Sequence, residues 1–168
     1  MDVETIVKHK FLEGSNMTFQ EVYHFAFKDI IAILQNLARE LGRDYFLEAI
    51  KKAASEYALK LGQDAACHLP CNDLAAFTAS IRDPDHFAKH VLTVEIVEDT
   101  PQAIEVKVTE CLWAKTFREM GAADIGYLLI CHRDYANCQG FNPKITLTRS
   151  KTLMQGDDCC NHRFVWGG

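Results

Sequence analysis

A chain of 168 residues is about the size of one ordinary domain and is long enough to bury a core. Its 48% hydrophobic and 24% charged residues are the balance of a folded protein, not of a disordered one. Eighteen basic against 23 acidic side chains give a formal net charge of -5, which argues against a nucleic-acid binder, and no run approaches the roughly 20 apolar residues of a membrane span.

The opening Met1-Asp2-Val3-Glu4 lacks the basic-then-apolar order of a secretory signal. Seven cysteines, sparse and irregularly placed, do not read as a disulfide framework. They are expected to be free thiols in a cytoplasmic protein.

Thr18-Phe19-Gln20-Glu21 is a capping box that opens a helix running to Gly42. Phe19, Tyr23, Ala26, Ile30 and Leu34 mark its expected inner face. A second helix is expected from about Asp44 to Leu61, with Phe46, Ile50, Ala54, Tyr57 and Leu61 as its stripe and Gly62 as its stop. Asn72 or Asp73 opens a third, and Asp83-Pro84 a short fourth. At Val91 the period changes. Leu92, Val94 and Ile96 alternate with Thr93, Glu95 and Val97, Asp99-Thr100-Pro101 turns, and Ile104, Val106 and Val108 alternate again, which reads as a hairpin. Helices come next at about Leu112 to Met120 and Ala123 to Tyr135, then strands at Lys144 to Arg149 and Cys160 to Trp166. The reading is one α+β domain over residues 1–168, in which N-terminal helices pack on a C-terminal antiparallel sheet with inserted helices. The helical half extends to about residue 90 and the sheet-bearing half begins at about 91.

Strand phase places Glu110 with Ile104, Val106 and Val108, and Arg149 with Ile145 and Leu147. A lone buried charge is costly, so these two are expected to form an internal pair or to face one cavity. Tyr127, Cys131, Asp134 and Cys138 stand on one side of a helix; Cys131 can equally be simple packing. In the tail, Cys160 and His162 share a strand face with Phe164 and Trp166, as a nucleophile and base or as half of a zinc site. No metal or other cofactor is expected, because Cys67 and Cys71 form C-x-x-x-C with no second pair. If zinc were held, Cys131, Cys160 and His162 would be its ligands. The sequence has no G-x-G-x-x-G, Walker A, G-x-S-x-G or H-E-x-x-H motif, which argues against nucleotide-driven chemistry and a standard serine hydrolase.

The segment Glu110-Cys111-Leu112-Trp113-Ala114-Lys115, then Gly126-Tyr127 with Cys131 and Asp134, then Gly140-Phe141-Asn142-Pro143, Thr148 to Asp157, Cys160 and Arg163-Phe164 resembles the L-2-amino-thiazoline-4-carboxylic acid hydrolases. The resemblance covers about the C-terminal third. It implies ring-opening hydrolysis of a cyclic C=N bond to a carbamoyl-cysteine. The layout is also similar to the four-vinyl-reductase-type ligand-binding fold, in which a cysteine-bearing tail closes the pocket. On this resemblance Glu110 or Asp134 would handle protons, Cys131 or Cys160 could attack first, and Arg149 would hold a carboxylate. Tyr127, Asn142 and His162 would complete the substrate contacts. The alternative is a non-catalytic binding or sensor module, with zinc in the tail. Either way the expected partner is a small molecule, with no nucleic acid or membrane, and a homodimer is compatible.

Overall fold

The computed structural model describes residues 16–168; the acidic stretch Met1 to Glu4 lies outside them. Thr18 caps the first helix, α1 (Phe19–Leu41). Its hydroxyl accepts from the Glu21 amide, and the Glu21 carboxylate accepts in return from the Thr18 amide at 2.8 Å. The buried stripe of α1 is Tyr23, Ile31 and Ala38, with Phe27 and Leu34 packed beside them. Phe19, Ala26 and Ile30, expected inside, are exposed. The helix is apolar round about half its circumference, and spacing alone could not say which edge of that arc the core covers.

Gly42, at φ 85°, turns the chain straight into α2 (Arg43–His68). Gly62 does not stop this helix; it lies buried within it. A Cβ on Gly62 would sit 2.3 Å from the Asn137 carbonyl oxygen, and one on Gly140 would sit 2.0 Å from that of Leu59. The two glycines let α2 and α7 (Arg133–Phe141) touch backbone to backbone. Ala58 is buried where Tyr57 was expected, and Tyr57 and Leu61 face solvent.

Asp73 caps α3 (Leu74–Phe77), and α4 (Ala79–Arg82) comes next. Asp83-Pro84 forms a turn in place of the expected helix, and a 3-10 turn at Phe87–His90 comes after it, capped by His86.

Four strands form one antiparallel sheet in the order β1-β2-β4-β3: β1 (Leu92–Asp99), β2 (Ala103–Cys111), β3 (Ile145–Thr148) and β4 (Cys160–Trp166). β2 and β4 pair with Val108 opposite Cys160, Val106 opposite His162 and Ile104 opposite Phe164. That face, with Ile145 and Leu147 of β3, packs on Leu74, Cys138 and Phe141. The other face carries Lys107 and Arg163, the latter paired to Glu98 at 2.8 Å. A second core cluster lies under α1, where Ile31, Ala38 and Phe46 meet Phe117 of α5 (Leu112–Glu119), Ile125 of α6 (Ala123–Gly126) and Met154. Helices and a four-stranded antiparallel sheet make this an α+β fold.

Candidate functional site

Strand phase continues one residue past β3. Thr148 pairs with Arg163, so Arg149 comes beside His162, on the face of Ile145 and Leu147. The Arg149 side chain is only 1% exposed. Its Nη1 donates to Asp134 Oδ2 at 3.0 Å and to His162 Nε2 at 2.8 Å, and its Nη2 donates to the Cys131 carbonyl at 3.0 Å. The rings of Tyr135 and Tyr127 lie 5.3 and 5.9 Å from the guanidinium carbon, within cation–π range. Burial opposes the charge, but Asp134 foremost and the polar groups around it outweigh that and hold the Arg149 pKa above its ordinary value.

Two local devices aim these groups. Between α6 and α7 the helix widens into a π-turn over Tyr127–Cys131, closed by the His132 amide donating to the Tyr127 carbonyl at 2.7 Å. Such a turn adds a residue to the helix and resets the direction of the side chains beyond it. The chain after Arg149 is fixed by its own side chains. Asn161 Oδ1 accepts from the Ser150 and Lys151 amides, Asp157 Oδ2 accepts from the Thr152 amide, and Gly156 turns at φ 104°. Most of the Thr148 to Asp157 motif therefore builds the loop that holds Arg149 in place.

Because Arg149 donates to His162 Nε2, that nitrogen must accept, and the ring proton sits on Nδ1. His162 Nδ1 is buried and has no hydrogen-bond partner among the described residues. His162 and Asp134 both border a cavity of about 200 Å³. Ile81, Val94, Val106, Val108 and Phe164 give it apolar walls, and Ser80, His86 and Lys89 complete the polar part. Lys89 Nζ donates to the Ile81 carbonyl at 2.9 Å, and among the described residues no second acceptor competes for its other two N–H groups. A larger, open groove of about 840 Å³ runs past Thr18, His90, Glu110, Cys111, Lys115 and Arg118, sharing Lys89 and Leu92 with the cavity. The groove contains neither Asp134 nor His162; those two side chains border the smaller cavity, which makes it the candidate site.

The structure does not bring Glu110 to Arg149. The β1–β2 register pairs Val94 with Val108 but Thr93 with Glu110, so β2 carries an extra residue there. That bulge reverses the phase. Glu110 is exposed, accepts from the Thr93 hydroxyl and faces the open groove, while Asp134 takes the place beside Arg149. Asn142 lines neither cavity. Its Nδ2 donates to the Asn72 carbonyl and its Oδ1 accepts from the Lys144 amide, which ties the end of α7 to the loop between α2 and α3. Tyr127 flanks the guanidinium rather than the cavity.

All seven cysteines are free, with Cys67 and Cys71 exposed. Burial, with Asp134 adding to it, pushes the Cys131 thiol up to about 12; burial pushes Cys111 up to about 11 and also raises Cys160. Cys160 Sγ accepts from the Leu153 amide at 3.3 Å. Among the described residues no three His, Cys, Asp or Glu side chains are arranged to hold a metal ion. Sequence reasoning missed Lys89 and His86. They sit in a short 3-10 turn without a motif, and only the packing of that turn against β1 reveals them.

A family model described as L-2-amino-thiazoline-4-carboxylic acid hydrolase matches residues 19–164. The chain belongs to this family. The match reaches back through α1 and α2, so the hydrolase-family likeness takes in most of the chain and not only the motif-bearing third. Among solved structures, the crystal structure of the phenol-responsive sensory domain of the transcription activator PoxR, with phenol, is similar at a TM-score of 0.52. It is 12% identical, over 82% of this chain and 73% of that one, a likeness of fold alone. No curated protein sequence matches. Among the described residues of this family member, no helix is long and apolar enough to cross a membrane.

Proposed function

We propose that the protein hydrolyses a small carboxylated heterocycle of the 2-amino-thiazoline-4-carboxylate kind in the cavity bordered by Asp134 and His162. The observation that carries this reading is one carboxylate, 38% exposed, beside one imidazole whose tautomer is set by a buried arginine, in a cavity that also carries Lys89 and is walled by Ile81, Val94, Val106, Val108 and Phe164. Asp134 takes a proton from water as its oxygen adds to the C=N carbon, then returns that proton to the ring nitrogen. His162 Nδ1–H supplies the hydrogen bond that steadies the nitrogen. The tetrahedral carbon then releases one ring bond. Scission of C–S leaves N-carbamoyl-cysteine with a free thiol; scission of C–N leaves the S-carbamoyl isomer with a free amine.

The substrate carboxylate is drawn to Lys89 and repelled by Asp134, which turns the reacting carbon towards Asp134. Arg149 uses three of its five N–H groups on Asp134, His162 and the Cys131 carbonyl and does not line the cavity, which supports a positioning rather than an anchoring role. Thiols raised to about 11 and 12 are protonated at neutral pH, which favours direct water attack over a cysteine adduct.

The apolar walls support a second reading, a binding module that holds a small ring without turning it over. The PoxR sensory domain, of similar fold, is phenol-responsive and was solved with phenol. Incubation with 2-amino-thiazoline-4-carboxylate, then thiol titration and product mass, separates the two. On the hydrolase reading wild type turns over, Asp134→Asn loses about 100-fold or more in kcat with binding retained, and Lys89→Met raises KM. Binding without turnover selects the module, and absence of binding overturns both.

A further inference from the structure

The buried stripe of α1 leaves half of its apolar arc uncovered. Val22, Ile30, Ile33, Leu37 and Leu41 are exposed large hydrophobics, and Ala26 lies exposed among them. At about 100° per residue these six fall on one arc of the helix, roughly 100° wide, next to the buried one. Their intervals are four, four, three, four and four, the same from either end. Phe19 extends the patch by one turn at the head of the helix.

We infer that α1 is the seam of a homodimer, two copies packing antiparallel about a two-fold axis that passes between Ile31 and Ala32. In that register Val22 of each copy meets Leu41 of the other, Ala26 meets Leu37, and Ile30 meets Ile33. Each of the six positions of the arc thus receives an apolar partner, as an isologous interface requires. No like charges are set opposite each other: the charged residues beside the arc are Asp29 and Glu40, and in this register they come against Leu34 and Tyr23, while Glu21, Lys28 and Arg39 lie on the far side of the helix. The uncovered side chains present roughly 600 Å² per copy, the upper end of what monomers expose. Two copies bury about 1,200 Å² together, the threshold of a standard stable interface. The self-complementary spacing is what selects a second copy over any other occupant.

Sedimentation equilibrium of the full chain tests this. Wild type should weigh twice the 19.0 kDa chain mass. Ile30→Glu and Ile33→Lys, both on the exposed face, should each run as single chains with unchanged helical circular dichroism. Mixing the two variants should restore a dimer, because Ile30→Glu of one copy then faces Ile33→Lys of the other. A single-chain wild type overturns the proposal, whatever else covers the stripe. So does a dimer that survives both substitutions, and single-chain variants that fail to recombine overturn the register.

Discussion

Replacing Arg149 by methionine removes the guanidinium and keeps a similar apolar stem. Three acceptors then lose their donor: the Asp134 carboxylate, His162 Nε2 and the Cys131 carbonyl. Asp134, 38% exposed, can recover water, so its share of the loss is reduced. The Cys131 carbonyl and His162, whose side chain is 15% exposed, have less access to water, and each orphaned acceptor costs about 1–3 kcal/mol. Breaking a buried ion pair from one side costs about 3–5 kcal/mol, and the partial exposure of Asp134 puts the total near the lower end, about 3 kcal/mol. That is a large fraction of the ~5–15 kcal/mol that holds a domain together. With a urea m-value of about 2 kcal/mol/M, the unfolding midpoint should fall by ~1.5 M. Arg149→Lys keeps a charge for Asp134 but not the planar fork that also reaches His162 and Cys131, and should cost about half as much. A midpoint shift below ~0.3 M in Arg149→Met would refute the positioning role. Weaker ligand binding at unchanged stability would restore Arg149 as a ligand anchor.

The thiols give a pH signature. Cys111, Cys131 and Cys138 keep their protons to about 11, 12 and 12 when folded, against ~8.5 for an unhindered thiol, so above that pH the unfolded chain binds fewer protons. Their contribution is complete below pH ~8.5 and is lost as pH rises towards 12; a denaturation series should show the fall, shallower in Cys131→Ala, and an equal slope in that variant would contradict it. With a thiol reagent at neutral pH, Cys67 and Cys71 should react at once and the other five only in denaturant. Gly140→Ala drives a methyl into the Leu59 carbonyl and should cost about 2–3 kcal/mol, and a thermal midpoint within a degree or two of wild type would show that α2 and α7 can part more easily than their contact indicates.

Much of the site could be read where a simple period held unbroken. β4 is regular from Cys160 to Trp166, and the inward turn of His162 and the lie of Arg149 come from counting by twos. Asp134 stood out as a carboxylate in helical register with Tyr127 and Cys131. Glu110 failed for a local reason: one extra residue in β2 reverses every phase beyond it, and no residue type near Thr109 announces a bulge. Gly62 failed because a glycine that ends a helix and a glycine that admits another helix look alike in sequence; only the partner, Asn137, distinguishes them. Lys89 was illegible because its place in the cavity depends on where the 3-10 turn lands against the sheet.

The π-turn at Tyr127–Cys131 bears on which length changes the chain can tolerate. Deleting one residue there would give a more regular α-helix with better local hydrogen bonding. It would also rotate everything downstream by about 100° and draw it back by ~1.5 Å. Asp134 would swing away from the guanidinium, and Gly140 would leave the spot where it passes the Leu59 carbonyl, placing a bulkier neighbour against α2. Any such indel needs a compensating one before Asn142, so the residue count of this helix is locked.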